Sequence, residues 1–476
     1  MKRTIVWFRR DFRLHDNPAL WEAAKEGIVI PVFIWSDEDM REYTESEASS
    51  WWLYHSVATL EKGLQAHGLK LFIKSGDEFD VLVDMMEEAD AEAVYFNERY
   101  EPAERSKGKR ITAQLESIGM EVRSFHGQLL FNPDLVNKQG APYKVFTSFW
   151  KRCMQEDVER PLPVPEGMKG IEQEIKTLSL TSLCIVDKNP WHQKFHEHWN
   201  PGEQAAIEQW EQFSDDGMFY YGTERDLISS GTSSMLSPYI AAGNISVKAM
   251  WHSAKGIYEE VQGMSVQSID TFLKQLVWRE FAYHQLIHFP DITRLPLRKQ
   301  FAEFPWVGTD EQLVKWKRGQ TGYPLVDAGM RELWETGVMH NRVRMVTASF
   351  LVKHLLIPWQ EGYDWFKHTL LDFDTANNAM GWQWVTGCGI DAAPYFRIFN
   401  PFLQSEKFDP DGEYIRKWVP ELSGLQAPYI HRPWEAHDSV LEEAGIQIGM
   451  TYPSPIVDHA TARKRALEAL QQVKRK

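Results

Sequence analysis

The sequence predicts two domains of different class, an N-terminal α/β domain with a doubly wound parallel sheet and a larger all-α domain after it. In the first 130 residues, short apolar runs alternate with amphipathic stretches, which indicates parallel strands with helices on both faces. From residue 201 onward, apolar residues recur at helical spacing without strand-like alternation. The length of 476 residues, against a usual domain size of roughly 150, also requires more than one packed region.

The alternation in the first 130 residues defines the elements of the predicted sheet. Apolar runs such as TIVWF and VIPVFIW are rich in β-branched and aromatic residues, which favour strands. The predicted strands are residues 4–8, 29–35, 70–73 and 93–96. The stretches between and after them predict helices at residues 17–25, 50–67, 79–88 and 102–118. No GxGxxG follows the first strand, so the glycine fingerprint of dinucleotide-binding folds is absent.

Residues 131–200 are predicted to connect the two domains, because the apolar period is lost there and prolines accumulate. The predicted limits are therefore 1–130 for the α/β domain, 131–200 for the connection and 201–476 for the helical domain. Within the last of these, the predicted helices are residues 201–213, 246–261, 265–288, 311–317, 324–336, 339–356 and 359–371.

Composition narrows the classes of function. The net charge of -15 argues against indiscriminate binding of polyanions but allows a local basic surface. Three cysteines without a CxxC pair support neither a disulfide framework nor a thiolate zinc site, so we expect no metal and a reducing, cytoplasmic setting. No run of 18 apolar residues occurs, and no membrane partner is expected. The 20 Trp, 25 Phe and 16 Tyr are numerous enough that a minority could stack on a ligand or carry electrons beside those that pack in cores.

Two polar segments in the helical domain are candidates for a ligand site. In HNRVRMVTASFLVKH, Asn341, Arg344 and Met345 lie three and four residues apart and so share one side of a helix. The segment DFDTANNAMGWQWVTGCGIDAAPYFRIFNP combines carboxylates, amides, large rings and an arginine. Such groups can pair with the edges of a planar heterocycle and stack on its faces, although helix caps and ion pairs between loops explain them equally well.

Two further features suggest anion binding. The segment GTSSMLSPYIAAG brings hydroxyls into a loop that enters a helix, where a phosphate could bind, but serine and threonine caps are common. Basic residues outnumber acidic ones between residues 315 and 353, which makes this stretch the best candidate for an anion-facing surface.

These motifs resemble the photolyase/cryptochrome flavoproteins, and among them the bacterial cyclobutane pyrimidine dimer photolyases most of all. The similarity runs from WFRRDFRLHDNPAL through GTSSMLSPYIAAGNIS, WREF, GYPLVDAGMREL and MHNRVRMVTASFLVKHLL to NNAMGWQWVTGCGIDAAPYFRIFNP, in the order of the family. The resemblance implies a carbon–carbon lyase that repairs DNA with light: reduced FAD donates an electron to a flipped-out pyrimidine dimer. It also implies a helical domain that binds FAD, an antenna chromophore that is methenyltetrahydrofolate or a deazaflavin, UV-damaged DNA as partner, a monomer, and a cytoplasmic, nucleoid-associated enzyme of bacterial type.

The resemblance further assigns roles to individual residues. FAD contacts would be Tyr221, Thr232, Ser233, Ser234, Ser237, Arg279, Asn341, Arg344, Asp372, Asp374 and Asn378. The lesion pocket would include Gln275, Trp278, Met345 and Trp384, with Arg342 and Arg397 contacting DNA. Electrons would reach the flavin through Trp306, Trp359 and Trp382.

Two residues depart from the family pattern. Gln275 occupies a position where dimer photolyases usually carry a Glu, and an amide cannot supply a proton or a charge to the lesion. Val338 replaces a tryptophan that is usual in TGWMHNR.

Gln275 is also familiar from (6-4) photolyases and animal cryptochromes. Asn341 and Met345 stand where the (6-4) enzymes place histidines, and only His340 remains in common, which makes (6-4) repair the weaker alternative. A cryptochrome-type photoreceptor that signals through a protein partner is the second hypothesis.

Overall fold

The computed structural model describes residues 1–36, 38, 46–186 and 190–475. The chain forms two compact units, each made of several segments. Unit 1 comprises Met1–Phe219, Ser234–His288 and Leu371–Asp374. Unit 2 comprises Tyr220–Ser233, Phe289–Leu370 and Thr375–Lys476. The limits at residues 130 and 200 stay a prediction.

Unit 1 contains a parallel sheet, which confirms the predicted α/β class. Its strands in the described residues are β1 Lys2–Phe8, β2 Gly27–Trp35, β3 Phe72–Ser75, β4 Ala93–Asn97 and β5 Glu121–Phe125. Their order is β3-β2-β1-β4-β5, with Thr4 opposite Val29 of β2 and Val6 opposite Tyr95 of β4. β5 was not predicted, because its sequence EVRSF lacks an apolar run and it pairs only at the edge of the sheet.

Helices cover both faces of the sheet, as the doubly wound prediction requires. Along β1, Val6 and Phe8 enter one core while Ile5 and Trp7 enter the other, because successive side chains of a strand point to opposite faces. The helices of this part of the chain are α1 Pro18–Glu26, α2 Glu47–Ala66, α3 Glu78–Ala89 and α4 Pro102–Ser117. The first two pack in one core and the last two in the other.

The next segments are helical. Residues 146–288 form α5 Phe146–Cys153, α6 Glu203–Gln212, α7 Met218–Glu224, α8 Ser237–Ala241, α9 Val247–Glu260 and α10 Met264–His288. A π-helical turn, Phe213–Gly217, lies between α6 and α7. α5 falls inside the stretch predicted as a connection, because eight residues between prolines leave too short a period to detect.

The rest of unit 2 is helical in its described residues. Its helices are α11 Asp310–Lys317, α12 Pro324–Thr336, α13 Asn341–Ser349, α14 Trp359–Thr369, α15 Thr375–Thr386, α16 Pro401–Phe408, α17 Glu413–Trp418, α18 Asp438–Glu443 and α19 His459–Arg475. A π-helical turn, Phe350–Leu355, continues α13. The larger helical region expected after the α/β domain is thus confirmed.

Short 3₁₀ turns complete the described secondary structure: Leu180–Leu183, Pro190–Glu197, Pro290–Thr293, Lys299–Glu303, Pro420–Leu422, Tyr429–His431 and Pro433–Glu435. Among all these helices, in the ranges that the structure covers, none has the length and apolar character needed to cross a membrane.

Candidate functional site

The residues that the sequence nominated divide between the two units. Unit 1 carries Ser234, Ser237, Gln275, Trp278, Arg279, Asp372 and Asp374. Unit 2 carries Tyr221, Thr232, Ser233, Trp306, Asn341, Arg342, Arg344, Met345, Trp359, Asn378, Trp382, Trp384 and Arg397. Each set has its own geometry.

Helix α10 positions the three nominated residues of the WREF region. Gln275, Trp278 and Arg279 are spaced by three and four residues, so they lie on one side of the helix. All three are half-buried, while the opposite side of α10 is fully buried through residues such as Leu276 and Phe281. The buried side fixes the helix and leaves the other side for polar and stacking contacts.

Trp278 is fixed by a stacked ring. Phe146, the first residue of α5, lies parallel to it with 3.6 Å between ring centroids and 5° between planes. One face of the indole is therefore covered, and a base can stack only on the other. Sequence reasoning missed Phe146, since it lies far from Trp278 along the chain.

Gln275 makes one hydrogen bond within its own helix. Its Nε2 donates to the carbonyl oxygen of Thr271 at 3.2 Å. That bond orients the amide and leaves Oε1 and the second N–H for a ligand.

Arg279 lies in a buried hydrogen-bonded cluster. Its Nη1 donates to the Gln128 carbonyl at 2.9 Å and to Oε1 of Glu280 at 3.1 Å. Its guanidinium lies 5.0 Å from the ring centroid of Tyr283, whose hydroxyl donates to Oδ2 of Asp374. Two nominated FAD residues, Arg279 and Asp374, thus contact the same tyrosine, which sequence reasoning missed.

Glu280 stabilises the segment that Arg279 contacts. Its Oε2 accepts the backbone N–H groups of Leu130 at 2.9 Å and Phe131 at 3.2 Å. Burial raises the pKa of Glu280 to about 7, against the opposing effects of Arg279 and the two N–H groups.

The hydroxyl-rich loop keeps its side chains at different depths. Thr232 is buried, Ser233 and Ser234 are half-buried, and Ser237, which begins the five-residue helix α8, is exposed. Oγ1 of Thr232 lies 2.8 Å from Oγ of Ser230. The predicted passage from loop to helix is confirmed, although α8 is too short to contribute much of a helix dipole.

In unit 2, α13 begins where the sequence placed its polar side. His340 caps the helix by accepting the N–H of Arg342 on its Nδ1 at 3.2 Å. Burial lowers the pKa of His340 to about 4, so the ring is neutral and can accept this bond. Nδ2 of Asn341 lies 3.9 Å from Sδ of Met345, which confirms that these two share one side.

The arginines of α13 point to different partners. Arg342 forms an ion pair with Asp226, and its guanidinium lies 4.5 Å from the ring centroid of Phe408. Nε of Arg344 donates to the Met339 carbonyl at 2.7 Å, which leaves its terminal nitrogens to other partners.

Helix α15 carries the amide and the tryptophans that the sequence singled out. Nδ2 of Asn378 donates to the Tyr363 carbonyl at 3.2 Å, so its Oδ1 is free to accept. Trp382 is 2% exposed and packs directly over Gly362 of α14. The half-buried Trp384 lies two residues further along α15.

The three nominated tryptophans of the electron route differ in exposure. Trp382 and Trp359 are each 2% exposed, and Trp306 is half-buried. Among the described residues, the Trp382 ring contacts Phe366 and Trp316. The Trp359 ring contacts Tyr363, and the Trp306 ring contacts Phe304.

The Arg397 side chain is exposed, but its backbone carbonyl is held by a buried lysine. Nζ of Lys353 donates to the Arg397 carbonyl at 2.8 Å. Burial, with the nearby charge of Arg397, lowers the pKa of Lys353 to about 7. Lys353 is a further residue that the sequence did not nominate.

Each unit carries groups that can bind a part of a flavin nucleotide. Guanidinium and hydroxyl groups can bind a pyrophosphate, and an amide oxygen such as that of Asn378 can accept from a ring N–H. The carboxylate of Asp374 can accept from ribose or ring donors.

Comparison with known proteins gives the family. Residues 272–472 match the FAD binding domain of DNA photolyase, and residues 4–166 match the DNA photolyase domain. A deoxyribodipyrimidine photo-lyase from Agrobacterium fabrum is 45% identical over 99% of this chain and 98% of its own length. The chain belongs to the photolyase/cryptochrome family. The resemblance seen in the sequence is thereby confirmed, and FAD is the cofactor of this family's C-terminal domain.

Other members of the photolyase/cryptochrome family are similar at lower identity. Cryptochrome-1 from Arabidopsis thaliana is 38% identical over 99% of this chain and 70% of its own length. The crystal structure of a bacterial class III photolyase from Agrobacterium tumefaciens matches with a TM-score of 0.96 at 44% identity, covering 100% of this chain and 98% of that chain. The family therefore includes both photo-lyases and cryptochromes, and the similarity to the photo-lyase supports a function in DNA repair.

Proposed function

We propose that the protein is a deoxyribodipyrimidine photolyase, which splits cyclobutane pyrimidine dimers in UV-damaged DNA with light. The observation that carries the proposal is the side of α10 on which Trp278, backed by Phe146, stands beside Gln275. A rigid ring with one open face suits stacking on a base that has left the duplex, as photolyases require. The 45% identity to a photo-lyase supports the same reaction.

Bound FAD, once reduced and excited by light, would supply the electron that opens the dimer. The residues of the chain would bind and orient FAD and the lesion. We assign the FAD contacts to the hydroxyls, amides, arginines and carboxylates that the sequence nominated in both units. The Gln128 carbonyl and Glu280 hold the Arg279 side chain in one conformation, so its cation is already oriented before FAD binds.

In the lesion pocket, Trp278 and Trp384 would stack on the dimer, Met345 would fill apolar space, and Oε1 of Gln275 would accept from a thymine N–H. Gln275 would not transfer a proton to the reduced dimer, because its amide is not an acid at neutral pH. After the ring splits, the electron would return to the flavin, so no net redox change occurs.

Electrons that reduce oxidised FAD under light would pass through Trp382, Trp359 and Trp306. Trp306 would be the outer member of this route, because it is half-buried while Trp382 and Trp359 are each 2% exposed. Arg342 and Arg397 would contact phosphates and make affinity depend on salt. We further propose a monomer that acts on the nucleoid, with an antenna of methenyltetrahydrofolate or deazaflavin.

The test is a repair assay with a thymine-dimer oligonucleotide. Protein with FAD reduced beforehand should restore thymines in blue or near-UV light and leave the dimer intact in the dark. Unchanged dimer under light, with bound reduced FAD confirmed by absorption, would refute the proposal.

A photoreceptor function is the second candidate, favoured by the 38% identity to Arabidopsis cryptochrome-1. Such a protein would be photoreduced without repairing any dimer. A (6-4) photoproduct in the same assay tests the weakest alternative, and we expect no repair because Asn341 and Met345 cannot act as acids.

A further inference from the structure

Unit 1 contains two buried tyrosines whose rings are in contact. Tyr283 of α10 is 3% exposed and Tyr100, just after β4, is 0% exposed. Their ring centroids are 6.3 Å apart at an angle of 80°. Neither residue has a role in the function proposed above.

Each phenol hydroxyl is hydrogen-bonded to a group that can accept a proton. The hydroxyl of Tyr283 bonds to Oδ2 of Asp374, and the hydroxyl of Tyr100 bonds to Nδ1 of His126. Asp374 is the residue assigned to FAD, whereas the side chain of His126 is 59% exposed. The two pairs therefore lead from a proposed flavin contact to the surface of unit 1.

We propose that Tyr283 and Tyr100 form a second route by which electrons reach photoexcited oxidised FAD, with Asp374 and His126 as proton acceptors. This inference rests on the proposed function, because it requires FAD beside Asp374. It differs from the tryptophan route, whose three members all belong to unit 2.

The surroundings of Tyr283 favour loss of its proton together with its electron. Burial and the carboxylate of Asp374 hold the pKa of Tyr283 well above its ordinary range, so the phenol is neutral. The guanidinium of Arg279 lies 5.0 Å from the ring centroid and disfavours a positively charged ring. A proton acceptor already within hydrogen-bonding distance removes that obstacle.

The transfers balance in three steps. Tyr283 gives one electron to the photoexcited flavin and its phenolic proton to Asp374. Tyr100 then gives an electron to the Tyr283 phenoxyl and a proton to His126, while Asp374 returns its proton to Tyr283. A thiol in solution gives an electron to the Tyr100 phenoxyl, His126 returns the proton, and the thiol, having lost its own proton to water, becomes a thiyl radical.

The solvent-facing end of the route lies beside a carboxylate. Oε2 of Glu98 is 4.0 Å from Nδ1 of His126, the proposed proton acceptor for Tyr100.

The test uses FAD-loaded protein with the Trp382→Phe substitution, which blocks the tryptophan route. The protein is prepared both with ordinary tyrosine and with tyrosine whose ring is deuterated. Light should generate a tyrosyl radical whose electron paramagnetic resonance spectrum narrows with the ring deuteration. Adding Tyr283→Phe should lower that signal at least about tenfold. Adding Tyr100→Phe instead should retain the radical and shorten its lifetime at least about tenfold, because it can no longer move to Tyr100.

Tyr452→Phe is the matched control. The hydroxyl of Tyr452, also 0% exposed, donates to Oδ2 of Asp327 at 2.7 Å, but this pair lies in unit 2 outside the proposed route. We expect the same tyrosyl signal in the Trp382→Phe background with and without this change.

Bound FAD and repair by pre-reduced protein are measured on every variant. If both are normal and no tyrosyl radical forms, or if Tyr283→Phe leaves the signal unchanged, the second route is wrong while the proposed function stands. If Tyr283→Phe releases FAD, the lifetime in Tyr100→Phe decides instead, and an unchanged lifetime refutes the route.

Discussion

At the scale of single residues, Gln275 is the proposed lesion contact whose substitution we expect to change the repair yield. Its amide is oriented by the Thr271 carbonyl and could pair with a thymine, but a neutral amide stabilises the negative charge of the reduced dimer less than a carboxylic acid would. We expect Gln275→Glu to raise the repair yield per absorbed photon, because a protonated carboxyl donates a stronger hydrogen bond to that charge. Lesion affinity should change by less than about tenfold, or about 1.4 kcal/mol.

The measurement is the repair quantum yield beside the dissociation constant for lesion DNA. Gln275→Met, of similar size but without the amide, is the control and should lower affinity without raising the yield. An unchanged or lower yield for Gln275→Glu, with FAD intact, would mean that Gln275 does not limit the reaction.

Glu280 makes stability depend on pH. Its pKa rises from 4.5 when unfolded to about 7 when folded, because burial penalises the carboxylate. The folded state is therefore favoured below the unfolded pKa, and this contribution is lost as pH rises from about 4.5 through about 7. The loss amounts to something on the order of 3 kcal/mol.

Glu280→Gln should remove this pH dependence, since an amide can still accept the N–H groups of Leu130 and Phe131. Urea unfolding at about pH 5 and about pH 8 should show wild type losing stability relative to the variant at the higher pH. If the free energy of unfolding changed equally with pH in the two proteins, Glu280 would not be the buried group whose ionisation lowers stability.

At the scale of elements, the packing of α14 on α15 fixes Trp382. A Cβ on Gly362 would lie 2.0 Å from the Trp382 ring. We expect Gly362→Ala to destabilise the protein by roughly 1–3 kcal/mol through overpacking, despite the better helix propensity of alanine. It should also slow flavin photoreduction, because the indole must move.

Gly381 in α15 is the matched control, with no atom within 4 Å of its added Cβ. Gly381→Ala should stabilise the protein by about 0.5–1 kcal/mol, as expected for an open helical position. Thermal unfolding of the two variants checks whether the first is less stable and the second more stable than wild type. A stabilised Gly362→Ala would contradict the close contact with Trp382.

The elements also show how far sequence reasoning reached. The strands with apolar runs, β1 to β4, and the long helices α10, α12 and α13 were predictable, since burial imposes a clear period on them. α15 was not predicted as a helix, because polar side chains such as Asn377 and Asn378 break its apolar pattern. Helical spacing identified the residues of α13 and the family resemblance those of α10, whereas Phe146 and Tyr283 contact these residues in ways that no local pattern encodes.

At the scale of the whole molecule, a net charge of -15 means that DNA must be bound by a few local cations. Arg397, exposed in unit 2, is one of the two that we assign to phosphate. We expect Arg397→Gln to weaken binding to damaged and undamaged DNA alike and to reduce the slope of log affinity against log salt by about 1.

Arg294→Gln is the control, since Arg294 is also an arginine of unit 2, with its side chain 62% exposed, but has no assigned role. Titrations of fluorescent DNA over a range of salt concentrations should leave its slope unchanged. Equal slopes for wild type and Arg397→Gln would remove Arg397 from the DNA contacts.

In the proposed reaction, light moves one electron from reduced FAD to a pyrimidine dimer and back. A single-flash experiment on the complex with dimer-containing DNA tests this cycle, with the visible absorption of FAD and the ultraviolet absorption of thymine followed together. We expect thymine absorption to rise while FAD returns to its reduced spectrum, without added reductant. Oxidised FAD accumulating in step with each dimer split, or no thymine appearing while reduced FAD is bound, would contradict the account.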